Sequence, residues 1–265
     1  MAVDGVVRGN DGDRESELTH GLAAVRSRLA RAAEAVGRNV GEIELLPITK
    51  FFPATDVAIL SRLGCRSVGE SREQEASAKV AELARLATVS ARASPRSDWR
   101  EVHWHMVGQI QRKKARSLAR WAHTAHSIDS AQLVTALDRA VAAALGDGCR
   151  DEPLRVYVQV SLDGDTSRGG VDIQTPGAVD DVCARVQDSK CLEFLGLMGI
   201  PPLDWDPDEA FDRLRSEHRR VLESHPNAVG LSAGMSDDLE IAVKHGSTCV
   251  RVGTALLGPR RLPSP

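Results

Sequence analysis

The stretch AVGLSAGMSDDLEIAVKHGSTCVRVGTALLG, residues 228–258, decides how the rest of the chain is read. It opens on a short apolar run (228–231), turns through Ser and Gly, continues with helical spacing (237–245) and returns to a β-branched run (248–252). A strand, a crossover helix and a second strand in so short a span make a parallel βαβ unit. Toward the N-terminus the same alternation recurs. Strand candidates fall at 43–49, 65–68, 102–107, 123–128, 154–161 and 191–200, with amphipathic segments such as 74–86, 131–145 and 207–224 between them. Ahead of them Leu18, Leu22, Val25, Leu29, Ala32 and Ala33 carry helical spacing that ends at Gly37. One helix followed by eight βα units in 265 residues predicts an α/β fold: a single (β/α)8 TIM barrel with an extra N-terminal helix. An open doubly wound sheet fits less well, because no G-x-G-x-x-G follows the first strand.

Composition narrows the function. Apolar residues make up 42% and charged residues 27%, as in ordinary globular proteins, and the net charge is −3. That charge argues against nucleic acid or a membrane surface as partner, and 3% aromatic residues leave little for base stacking. The N-terminal MAVDGVVRGNDGDRESE has no secretory pattern, and no window is apolar enough to span a bilayer. The expectation is a cytoplasmic protein with a disordered tail over 1–14 and one domain over 15–262. Five scattered cysteines without a C-x-x-C pair read as small core residues in a reducing compartment, with no metal site. TVSARASPRS (88–97) and LDGDTSRGG (162–170) read as loops.

Active sites of such barrels lie at the C-terminal ends of the strands, and phosphate is often held after strands seven and eight. In LLPITKFFPATD (45–56), Lys50 closes the first strand against two phenylalanines; it is either a strand-end lysine reaching water or a partly desolvated nucleophile. After strand seven, Ser232 offers a hydroxyl, Gly234 a close backbone approach and Ser236 an N-cap for a helix starting with Asp237 and Asp238. After strand eight, Gly253 and Thr254 can present N–H groups to an anion. Alternation puts Cys249, Arg251 and Gly253 on one face, so Arg251 points inward, toward either an internal carboxylate or a ligand. A lysine, an anion cradle and an inward arginine suggest a phosphorylated aldehyde, of which pyridoxal phosphate is the commonest cofactor. His105 and Met198 read either as site-lining or as core residues, and Arg112, Lys113, Lys114 and Arg116 as a solvated face or an anion-binding one.

The motifs PITKFFP, SVGESREQE, WHMVGQIQRKKA, HSIDS, VYVQVSLDGDTSRGG, GLMGIPP and LSAGMSDDLEIAVKHGSTCVRVGTALLG run in order from about residue 20 to 260. In them the chain resembles the pyridoxal phosphate homeostasis protein family, itself similar to the N-terminal barrel of alanine racemase without the second β-domain. The resemblance implies pyridoxal 5'-phosphate as cofactor, carried as a Schiff base on Lys50. It implies that Ser232, Gly253 and Thr254 hold the phosphate, that Arg251 faces the pyridine nitrogen, and that His105, Ser71 and Met198 surround the ring; Gly234, read above as a close backbone approach, joins the candidate cofactor-binding residues. Two positions depart from the family pattern: Ser71 stands where Asn is usual, and Arg168 where Lys is frequent. The function implied is binding and buffering of the cofactor in vitamin B6 homeostasis, with apoenzymes that use it as recipients and a monomer as the working form. The alternatives are a racemase-like enzyme with Lys50 as its base, or an aldolase-like barrel in which Lys50 attacks a sugar phosphate.

Overall fold

The structure is a computed structural model, and it describes residues 11–93 and 101–259. Nine strands form one parallel sheet: β1 (Glu44–Pro47), β2 (Ser67–Glu70), β3 (His103–Met106), β4 (Thr124–Ile128), β5 (Leu154–Ser161), β6 (Val171–Asp172), β7 (Leu192–Gly199), β8 (Gly230–Ser232) and β9 (Cys249–Val252). Their order is β1-β9-β8-β7-β5-β4-β3-β2, with the two-residue β6 attached to β5 outside this path. A parallel bridge between Ile48 and Gly69, and a 2.9 Å bond from Thr49 N–H to the Gly69 carbonyl, bring β1 beside β2 and close the barrel. The expected eight-stranded barrel is observed; β6 is too short to leave an alternating pattern.

The crossover helices are α2 (Ala54–Arg62), α3 (Glu73–Ala93), α4 (Ala115–Leu118), α5 (Ala131–Gly146), α6 (Ala178–Gln187), α7 (Pro207–Ser224) and α8 (Leu239–Lys244), with α1 (Asp11–Ala35) before the barrel and α9 (Thr254–Leu257) after it. The largest apolar cluster lies between β4, β5, β7 and the helices α4–α7. A second joins α1 to α2, α8, β9 and α9. Helix α1 therefore covers the seam where the first and last strands pair. Inside the barrel the pattern reverses: His105, His126, Gln159, Ser232 and Arg251 are all buried there.

Three expected boundaries shift. Residues 11–14, expected in a disordered tail, form the first turn of α1, and residues 1–10 lie outside the described residues. Arg14 explains the extension: its guanidinium donates to Asp56 Oδ2 at 2.6 and 3.1 Å and to the Leu257 carbonyl at 3.1 Å. The loop expected at 88–97 is helical through Ala93, and residues 94–100 lie outside the described residues. Helix α8 starts at Leu239 rather than 237, and Ser236 does not cap it.

Candidate functional site

Lys50 follows β1 at the C-terminal end of the barrel and is half-buried. Its neighbours are fixed from both sides by buried charge. Thr49 Oγ1 donates to Glu70 Oε1 at 2.6 Å, and the Thr49 carbonyl accepts from Lys79 Nζ at 2.8 Å. On the other side, Phe51 N–H donates to Glu75 Oε1 at 2.7 Å. Lys79 ties the carboxylates together, 2.6 Å from Glu70 and 3.3 Å from Glu75. Burial pushes the Glu70 carboxyl up, against the pull of Lys79. Phe51 takes φ +68°, a strained conformation for a residue with a side chain, and such strain gathers where function dictates backbone shape. The sequence gives no hint of Lys79, since a lysine in an amphipathic helix ordinarily reads as solvated.

The two glycines expected to cradle an anion differ. Gly234 has φ +92°, and a Cβ there would stand 2.5 Å from Ala242 Cβ, so packing of α8 accounts for it. At Gly253 φ is −106°, and an added Cβ would meet only Ile48, at 3.7 Å. The missing side chain leaves a notch beside the Ile48 carbonyl, two residues before Lys50. Ser236 Oγ accepts from the Ala255 N–H at 3.2 Å, which joins the loop after β8 to the start of α9, and Thr254 lies between Gly253 and Ala255. A hydroxyl and successive backbone N–H groups in such a turn suit an anion. Ser236, read from sequence as the cap of α8, instead ties its loop to the start of α9.

Ser232 lies elsewhere. It is fully buried, and its hydroxyl accepts from Arg251 Nη1 at 2.7 Å and lies 2.9 Å from His126 Nδ1. A hydroxyl so engaged inside the barrel is not offered to a phosphate at the mouth. Arg251 is inward as expected; its partners are Ser232 and the Gly199 carbonyl, which accepts from Nη2 at 3.0 Å, rather than a carboxylate. Met198 is buried on β7 in register with Ser232. Ser71 follows β2 and packs on Gly108, where a Cβ would come within 2.0 Å of the Ser71 carbonyl oxygen.

His105 faces the other end of the barrel. Its Nε2 is 3.9 Å from Glu44 Oε1 at the start of β1, and it lines a cavity of about 360 Å³ with His103, His123, Arg155 and Tyr157. Burial holds its pKa down to about 4. The expectation that His105 surrounds a ring at the mouth is therefore not met by this arrangement. Arg168 pairs with Asp163 and, at 3.2 Å, with Asp165 in its own loop. Lys114 pairs with Glu73 at 3.1 Å, whereas Arg112, Lys113 and Arg116 line a cleft of about 560 Å³ with Arg139. Among the described residues no group of His, Cys, Asp and Glu is arranged to hold a metal, and no helix is long and apolar enough to cross a membrane.

The family model for the alanine racemase N-terminal domain matches residues 21–261. The chain belongs to that family. Among its relatives, a pyridoxal phosphate homeostasis protein of Mycobacterium tuberculosis (strain ATCC 25618 / H37Rv) is 78% identical over 253 residues, 96% of each chain. A protein of the same description from Escherichia coli (strain K12) is 31% identical over 248 residues, covering 92% of this chain and 97% of its own. Among solved structures, PipY of Synechococcus elongatus PCC7942, with pyridoxal phosphate bound, superposes with a TM-score of 0.73 at 29% identity, covering 91% of this chain and all of that one.

Proposed function

We propose that the protein binds pyridoxal 5'-phosphate covalently through Lys50 and serves vitamin B6 homeostasis as a carrier and buffer of the cofactor. The observation that carries this reading is the Gly253 notch. Among the described residues other than its chain neighbours, only Ile48 comes within 4 Å of where a Cβ would stand, which leaves space at the mouth for a bound group. The notch adjoins N–H groups suited to a phosphate, just after β9, the strand paired with β1, which precedes Lys50. The 78% identical relative and the cofactor-bound PipY structure support the same assignment.

When bound, the cofactor supplies an electrophilic aldehyde carbon and an electron-withdrawing ring. The protein's residues do the rest. Gly253 and Thr254 hold the phosphate. Arg251, a group that only donates, faces the ring nitrogen and keeps a proton off it. The pairing of Lys79 with Glu70 and Glu75 fixes the backbone on both sides of Lys50, so its amine meets the aldehyde from one direction. Racemisation needs a second acid or base opposite the lysine. The chain's one tyrosine, Tyr157, lines the cavity at the other end of the barrel, which favours carriage over catalysis. The same reading takes the working form as a cytoplasmic monomer that passes the cofactor to apoenzymes.

Visible absorption with added pyridoxal phosphate, before and after borohydride, followed by peptide mapping, tests the proposal. A trapped adduct on Lys50 that Lys50→Ala abolishes is the expected result. An adduct elsewhere, or no new absorption band, overturns it.

A further inference from the structure

From the barrel interior we infer that Ser232, His126 and His105 form a hydrogen-bonded line of one polarity that positions Arg251. The line starts at Arg251 Nη1, runs 2.7 Å to Ser232 Oγ, 2.9 Å on to His126 Nδ1, and 3.0 Å from His126 Nε2 to His105 Nδ1. Its far end, His105 Nε2, faces Glu44 Oε1 at 3.9 Å. All four residues of the line are buried.

The arginine end sets the direction. A guanidinium only donates, so Ser232 accepts from Arg251; of the two acceptors beside its single proton, the His126 Nδ1 nitrogen is stronger than the Cys249 sulfur and takes it. His126 then carries its proton on Nε2 and donates to His105 Nδ1, which leaves the His105 proton on Nε2. That nitrogen lies 3.9 Å from the Glu44 carboxylate, too far for a hydrogen bond but on the side where a negative charge favours an N–H. Burial depresses the pKa of both histidines, so each stays neutral near pH 7 and has one tautomer to choose. Tyr157 stacks on His126 with ring centroids 4.6 Å apart and keeps its plane in the line.

The consequence falls on Arg251. The hydrogen bonds of its guanidinium to Ser232 and to the Gly199 carbonyl hold the guanidinium plane where β9 enters the mouth. Ser232, His126 and His105 are thus positioning residues, set behind the group assigned above to the pyridine nitrogen; this part rests on the proposed cofactor. The sequence reading had Ser232 on the phosphate, and the line gives it a different task.

Long-range ¹H–¹⁵N spectra of the cofactor-free protein test the line by itself: His105 and His126 should both show the Nε2–H tautomer at pH 7. The Nδ1–H tautomer at either residue, or a protonated ring, overturns the line. Cofactor titration tests the consequence. Ser232→Ala should weaken binding of pyridoxal phosphate about tenfold, the effect of one hydrogen bond to a charged group, and shift the visible band while Lys50 still forms the adduct. Ser232→Thr, which restores a hydroxyl, should recover both. Unchanged affinity and spectrum in a folded Ser232→Ala protein overturn the positioning role. Failure of the wild-type protein to form any adduct would refute the proposed function instead, and the tautomers would then still decide the line.

Discussion

A glycine in a sequence states that a side chain is missing, not why. Gly234 and Gly253 look alike in the turns after β8 and β9, yet at Gly234 a positive φ and the close approach of Ala242 leave no room for a side chain, whereas at Gly253 φ is negative and the Cβ position is open among the described residues. Gly234→Ala should lower stability by about 2 kcal/mol, since it places a Cβ at φ +92° and against Ala242. Its urea midpoint should fall; an unchanged midpoint would mean that the loop relaxes freely. Gly253→Ala should leave the midpoint within about 0.5 kcal/mol of wild type and weaken pyridoxal phosphate at least tenfold, as read by fluorescence titration. Normal binding by Gly253→Ala would remove the notch from the site. Lys50, Arg251, Gly253 and Thr254 are legible as candidates because residue type and strand position both point at the mouth. The depth and partners of Ser232, Ser236 and His105 are not legible, because a hydroxyl or an imidazole serves a phosphate, a cap or a buried chain equally well, and only position in the barrel separates these.

Strands and crossover helices follow so closely from alternation and helical spacing that β5 and α7 occupy the residues expected for them, 154–161 and 207–224. What periodicity does not carry is the side chain that crosses from one element to lock another. Lys79 of α3 is 5% exposed and reaches back to Glu70 of β2 and to the Thr49 carbonyl after β1. Replacing it with Met would strand the Glu70 carboxylate, which is fully buried, without a counter-charge. Loss of one partner of a buried pair costs about 3–5 kcal/mol. The Lys79→Met protein should therefore unfold at markedly lower urea and trap the cofactor on Lys50 more slowly under borohydride. The double variant Lys79→Met, Glu70→Gln should recover much of the stability, since neither charge is then left alone. A single variant as stable as wild type would show that the cluster does not hold the strand end.

For the molecule as a whole, the polar barrel interior ties stability to pH. His105 and His126 lie in the interior, and burial depresses the pKa of each, to about 4 for His105 and well below the ordinary value for His126. Glu44 opposes the shift at His105, whereas His103 and Arg155 add to it. In the unfolded chain both histidines titrate near the ordinary value of about 6.5. A proton therefore binds the unfolded state first as pH falls, and folding loses stability from about pH 6.5 downward. The contribution is complete above that value and gone for His105 below about pH 4. For His105 alone the span corresponds to about 3 kcal/mol between the two limits. Carboxylates with depressed pKa values, such as Glu240 beside Arg28, act mainly at the acid end of this range, and Glu70, raised by burial, works against the loss. His123, depressed to about 4, and His218 add to it, so the decline from pH 6.5 to 5 belongs to these histidines together with His105 and His126. Urea midpoints measured at pH 7.5, 6.5, 5.5 and 5 should decline steadily below 6.5. In His105→Gln, which offers neutral hydrogen-bonding groups at every pH, the decline should be shallower. A wild-type midpoint flat from pH 7.5 to 5 would mean that the two rings are solvated, and the packed polar interior of the barrel would have to be abandoned with them.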